Sequence, residues 1–454
     1  MPDAVAETAM PRKAGTAREA TLYRALAGAG ANVEGTLSPD ELRAAARDAE
    51  ARLDLPVWRR SGFWTTSLRD LDLDALEPKT ATEVPAFVTE TLGDGPAAGT
   101  IVQSGASVVS VELDPALAAQ GVVLCALEDA PADLLRKHLM RRLTLDRDKV
   151  EASAAAHWAG GAFLHVPRNV RVEQPFQIVY AIAEPGTVQY AHTLVVGDEG
   201  SDFRLRHYEL GGDFEGQALH AGHFELYLDA GARARLAQLQ DWGPADVYDV
   251  STHFVGVGRD AYCHWLPCHL GGKLTREHLE LAVSEKGGDM AFRGLFFAER
   301  DEHLDLFAVD LHETGPSTGD VHWRGAATGA AKASFEGLIQ IDPGAQKTHT
   351  YLQIHSMMLS PRAKVDTIPS VLVSADDVSA SHGGTVGELD EDLIFYMRSR
   401  GLTRAEAVKQ IVRGFFEPLI GELDDEHFEG LVRGRIDSKL SAAAQDVEAY
   451  AAAR

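Results

Sequence analysis

The chain has 454 residues, 45% apolar and 24% charged, a globular composition long enough to bury a large core in roughly three domain-sized units. It carries 43 Lys and Arg against 68 Asp and Glu, a formal charge of −25. That balance opposes nucleic acid and acidic membrane surfaces, because binding to phosphate polymers rests on cations that displace counterions. Three cysteines (Cys125, Cys263, Cys268) cannot build a disulfide framework, and MPDAVAETAMPRKAG lacks the apolar stretch of a signal peptide, so a cytoplasmic protein without a membrane span is expected.

Residues 1–158 read as an N-terminal helical domain with a short β insert. Ser38, Pro39 and Glu41 supply an N-cap, a first-turn proline and the carboxylate of a capping box, and Leu42, Ala45, Ala46, Ala49 and Leu53 follow at helical spacing. LDLPVWRRSGFWTTSLRDL then carries aromatic residues and turn formers without a clean period, and GTIVQSGASVVSVEL and GVVLCAL read as strands. A second helical stretch is predicted from about Ala132 to His157, before Gly160 and Gly161.

Residues 159–386 change texture to short β-branched and apolar runs, many alternating with period two. Their corners resemble one another: LDAGARARL around Gly231, GVGRDAYC around Gly258, TGAAKASF around Gly329 and DPGAQKTH around Gly344 each place a small residue at a bend before a new strand. Such a loose repeat predicts strands coiled into a parallel β-helix, in which each rung covers the apolar face of its neighbour. Alternation alone leaves a sandwich or a large barrel open, and solvated polar strand faces are the simplest expectation.

Residues 387–454 return to helix as a C-terminal helical domain. Asp390 is placed to cap the first helix, with Gly401 just past its end. Thr403 and Glu406 make a second capping box, with Ala407, Ile411, Phe415 and Leu419 as an apolar stripe, and a third helix is predicted from Asp424 or Asp425. This tail is suited either to pack on its own chain or to receive a partner.

Short motifs carry little chemistry. Gly256, Gly258 and Ala261 match a dinucleotide spacing, but a strand-like YCHWLPCHLGGK follows instead of a helix, and GGKLT lacks the glycine and hydroxyl of a phosphate loop, so no bound nucleotide is expected. Cys263, His264, Cys268 and His269 converge on a metal only if Pro267 breaks their strand into a tight loop. His220 and His223, ahead of Glu225, fall on opposite faces of a strand, whereas the paired histidines of a cupin-like metal enzyme stand two apart. HLDLFAVDLH sets His303 and Asp305 on one face and Asp310 and His312 on the other, which keeps a carbohydrate-active β-solenoid enzyme as a further alternative.

The most specific pattern lies at residues 359–417, from LSPRAKVDTIP to IVRGFFE. It contains Leu359 and Ala363, Pro369, the ADDV of 375–378, the HGGTVG beginning at His382 and the FYMRSRG from Phe395 to Gly401. In that order these resemble the C-terminal signature of the SufB/SufD family of iron-sulfur cluster assembly proteins. GGAFLHVPRNVRVEQPFQI at 160–178 and WRRSGFWTTSLRDL at 58–71 resemble the family's core entry and N-terminal aromatic segment. Gly383 after the histidine resembles SufD, where SufB usually has glutamate; VLV at 371–373 and Ala380 depart from the family pattern, Ala380 standing where SufD often has cysteine. The resemblance implies a right-handed parallel β-helix flanked by helical domains, in a non-catalytic SufD-like subunit. It further implies a SufB-like partner bound through the β-helix and a SufC-type ATPase bound through the C-terminal helices, for which Phe395, Tyr396, Arg398 and Arg400 are the partner-binding residues. A transient iron-sulfur cluster is then shared near the boundary of the two β-helix proteins. There His382 either ligates iron as a neutral imidazole or only supports the interface by hydrogen bonding.

Overall fold

The computed structural model describes residues 30–60 and 64–443. The signal-peptide reading and part of the aromatic segment at 58–71 concern residues outside that range.

From Ala162–Val166 to Ser379–Glu388, successive strands alternate between two sheets, and each strand pairs in parallel with the strand two further along the chain, making about eight turns of a solenoid. One turn takes from 26 residues (Tyr248 to Leu274) to 32 (Lys332 to Lys364). Register stacks equivalent side chains into columns, and one interior column runs Leu205, Leu236, Trp265, Phe292, Val321, Leu352. Its apolar members touch from rung to rung: the Trp265 and Phe292 rings stack with centroids 4.9 Å apart. Small corner residues are required for two different reasons. Gly231 has a left-handed backbone (φ 67°), whereas a Cβ at Gly258 would lie 2.5 Å from the Leu228 carbonyl oxygen.

Both faces of most strands are covered, which corrects the expectation of solvated polar faces: the strand Leu274–Val283 is buried at every position and His303–His312 at all but the first. Helix Lys149–His157 lies on the outer face of one sheet. Arg147 seats it, pairing with Glu151 and donating to Thr252 Oγ1 at 2.7 Å, in a site almost closed to solvent. The helix predicted over 132–157 is two helices, Ala132–His138 and Lys149–His157. Met140 takes a left-handed backbone between them, and the Asp148 side chain accepts from the amides of Val150 and Glu151 to start the second. Gly99–Ser104 and Ser107–Leu113 form the antiparallel β insert, and the capping box of Ser38 and Glu41 starts Pro39–Arg52. Among the described residues no helix is long and apolar enough to cross a membrane.

Three helices, Glu391–Ser399, Arg404–Ile420 and Glu426–Ala442, begin at caps Asp390, Thr403 and Asp425. The tail packs on its own chain: Val408, Val412 and Phe416 join Val432 and Ile436 against Leu239, Leu295 and Phe297 on the other sheet's outer face. The buried stripe is thus turned from the predicted one, with Ile411 and Phe415 at its margin. Arg206 clamps the last helix, donating to both Asp425 oxygens at 2.8 and 2.7 Å with both side chains buried. Burial raises the Asp425 carboxyl, but the hydrogen bonds from Arg206 and the Phe428 amide and the Arg206 charge together outweigh it and hold it below its ordinary range. A depressed acid stabilises the folded form above its unfolded pKa and loses that contribution as pH falls through the folded value. Docking of the last helices should therefore weaken below about pH 4. Asp425→Asn, which leaves the Arg206 charge buried, should cost about 3 kcal/mol at neutral pH, read as faster amide exchange over 426–442.

Candidate functional site

Each sheet ends on a strand paired on one side only, Lys364–Val373 in one and Ser379–Glu388 in the other. Columns that are sealed one rung earlier reach solvent here. Ile339 and Ile341 are fully buried, yet Val371 and Val373, next in the same columns, are 40% and 41% exposed, and Val386 on the facing strand is 41% exposed. Solenoids ordinarily close such an end with a polar cap, and proteins ordinarily blunt such edges with charge. This end instead presents a cross-section of its own core between two open backbone edges, a surface chemically suited to receive strands and apolar side chains from a second protein.

His382 stands in this end. It is paired with Leu352, so it continues the interior column of Leu205 through Leu352 as its last, solvent-exposed member. Two residues on, a Cβ at Gly384 would lie 3.1 Å from Thr367 Cγ2 and 3.4 Å from Pro369 Cγ, so the two last strands meet closely beside it. Ser356 and Thr367 hydroxyls bond at 3.1 Å across the same junction. Next to His382, a side chain at Gly383 would meet nothing within 4 Å. Among the described residues, the one group of three or more ligand-type side chains gathered closely enough for a metal lies elsewhere, at Glu209, Asp249 and Glu277 in the solenoid interior. His382 belongs to no such group among the described residues.

The structure separates the other sequence candidates. Tyr262–His269 is an unbroken strand despite Pro267, so Cys263 joins the interior core, Cys268 packs under the C-terminal helices, and the four residues 263, 264, 268 and 269 do not converge. Burial pushes both thiols far up, away from the thiolate a metal requires. His220 meets Gln189 while His223 faces His192 on the opposite side of the strand, as the spacing predicts. Phe395 and Tyr396 are 73% and 54% exposed on helix Glu391–Ser399, with Leu393 also exposed beside them. Arg400 lies 5.2 Å from the Tyr396 ring, and Arg398 is exposed on the same helix. Sequence reading missed Val371, Val373 and Val386, since nothing in one chain marks which rung is last. It also missed the buried carboxylates, although HYEL, QLQD and DVSTHF each repeat polar residues at period two, on three strands of neighbouring rungs.

Comparison with known proteins places these features in a family. A family model described as SUF system FeS cluster assembly, SufBD core domain, matches residues 180–415. An iron-sulfur cluster assembly SufBD family protein of Staphylococcus epidermidis is 25% identical over 333 residues, covering 73% of this chain and 71% of that protein. The iron-sulfur cluster assembly protein SufB of Bacillus subtilis is 26% identical over 336 residues, with the same coverage of 73% and 71%. A SufBD family protein of Mycobacterium leprae is 29% identical over 272 residues, 59% of this chain and 31% of that longer protein.

Proposed function

The chain belongs to the SufB/SufD family of iron-sulfur cluster assembly proteins, and on that premise we propose that it is the SufD-like, non-catalytic subunit of a cytoplasmic scaffold complex. The observation that carries this reading is the uncapped end of the solenoid, whose last rung leaves Val371, Val373 and Val386 exposed and carries His382. Joined to a SufB-like end, both solenoids lose their exposed edges, and the imidazole lies at the junction where a cluster can take ligands from both chains. Gly383 and the sparse cysteines, of which Cys263 and Cys268 are buried, favour SufD over SufB, leaving sulfur chemistry to the partner. ATP hydrolysis belongs to a separate SufC-type ATPase, which the exposed Phe395, Tyr396, Arg398 and Arg400 are suited to bind.

The enzyme alternatives fit less well. A cupin-like centre needs histidines on one strand face, and His220 and His223 lie on opposite faces. A carbohydrate-active site needs carboxylates open to a saccharide, whereas Asp305 and Asp310 of the strand that suggested one are buried.

His382→Ala should leave the complex assembled and lower cluster yield several-fold, since removing an exposed ligand takes coordination away without opening a cavity. The measurement is paired: complex mass by light scattering, and iron plus sulfide after anaerobic reconstitution. Weakened assembly in parallel with yield assigns His382 to the interface alone. Normal values for both remove its functional role.

A further inference from the structure

Columns on the outer face of the solenoid change character where the N-terminal cover ends. One of them runs Tyr248, Leu274, His303, Lys332 and Lys364 over successive rungs. Tyr248 and Leu274 are buried in one apolar cluster with Trp58 and Leu68, against the antiparallel strand pair Val57–Arg60 and Trp64–Ser67. His303 marks the rim of that cover: its Nε2 shares a 3.1 Å hydrogen bond with Thr66 Oγ1, which ties the strand pair to the sheet. Lys332 and Lys364 stand beyond it, exposed. Here a cleft of about 550 Å³ opens, lined by Thr65 from the strand pair and by His303, Lys332, Lys364 and Asp366 from the sheet. Met358 and Val365 give it an apolar part.

The charges in the cleft do not balance. Neighbouring strands are about 4.8 Å apart, so two ammonium groups rise from adjacent positions, an unfavourable pairing by itself. Among the described residues neither lysine has an ion-pair partner, in a chain whose 68 acidic residues outnumber its 43 basic ones. Asp366, on the same strand face as Lys364, sets one carboxylate against two ammoniums. Asp305, two residues along from His303, is buried and already engaged within the chain. Burial holds the His303 imidazole below its ordinary range, so at neutral pH it is a hydrogen-bonding group rather than a third cation. The balance is one positive charge, and an anion from outside the chain relieves the repulsion between the lysines.

The lining also selects the kind of anion. Among the described residues the cations are lysines alone, point charges with rotatable donors that suit a tetrahedral oxyanion, whereas a carboxylate is best met by the planar fork of arginine. The volume is that of a small-molecule site and far more than a bare oxyanion fills. We propose that this cleft binds a small phosphate monoester, its phosphate held by Lys332 and Lys364 with the Thr65 hydroxyl, and its body lying on Met358 and Val365. Lys364 begins the strand whose far part carries Val371 and Val373, seven residues or roughly 23 Å further on, so the site is separate from the open end and does not depend on the function proposed for it.

The test is titration calorimetry of the full chain, at constant ionic strength, with two probes that share a ring and differ in the anion: phenyl phosphate and benzoate. Phenyl phosphate should bind and benzoate should bind at least about tenfold more weakly. Lys332→Gln combined with Lys364→Gln keeps most of each aliphatic stem and should weaken phenyl phosphate at least about tenfold, since each charged hydrogen bond lost costs about 1.5 kcal/mol or more. Asp366→Asn should tighten it several-fold by removing the one carboxylate that faces the phosphate. No binding of phenyl phosphate to the wild type, equal affinity for benzoate, or unchanged affinity in the lysine double variant overturns the proposal. Both lysines are exposed, so the double variant should melt with the wild type; if it does not fold, the ranking of the two probes and the Asp366→Asn result decide.

Discussion

Val371→Asp combined with Val386→Asp should abolish binding to the second solenoid while leaving the free chain folded. Both side chains are about 40% exposed in the isolated chain, so the substitutions cost it little. In a joined end the same positions become dry, and each charge loses its water without gaining a partner. About 2 kcal/mol for each raises Kd roughly a thousandfold. Melting temperature should stay within a few degrees of wild type, and affinity for a SufB-like subunit should be read by calorimetry. A double variant that binds normally places the partner somewhere other than this end.

Phe395→Ala combined with Tyr396→Ala should remove binding of the ATPase by a comparable factor. Aromatic anchors dominate protein interfaces, and Phe395 is 73% exposed on a helix that has already committed its buried face to Ile394. Alanine keeps helix Glu391–Ser399 intact, so the loss reports contact rather than unfolding. Deleting the helical tail is a poorer experiment, because it strips Val408, Val412 and Phe416 from the sheet and exposes Leu239, Leu295 and Phe297 to water.

Local chemistry was legible where the signal was local. The Ser38–Glu41 and Thr403–Glu406 capping boxes and the Asp390 cap stand where the sequence put them, because each needs only residues three positions apart. The solenoid was legible from its repeating corners. Facts that depend on packing from other elements were not legible: the double-sided burial of Leu274–Val283 comes from N-terminal segments far away in sequence, with Arg276 over the Trp58 ring and His278 against Arg147, and Val408 displaces Ile411 from the buried stripe because the sheet chooses the face. His382 was found through its neighbours in a motif, but its place as the last member of an apolar column follows only from register. The interior histidines His220 and His269 were read in separate motifs and never as a group, since six strands bring that interior together.

The two surfaces are separate: one is the end of the solenoid, the other the outer face of a helix. Native mass spectrometry of the complex purified through this chain therefore tests the account most directly. The wild type should carry both a second SufB/SufD-family chain and the ATPase; the Val371 and Val386 variant should lose the second solenoid and keep the ATPase, and the Phe395 and Tyr396 variant should do the reverse. A wild-type chain whose companion is only another copy of itself, or variants that lose both partners together or neither, would contradict a scaffold built on these two surfaces.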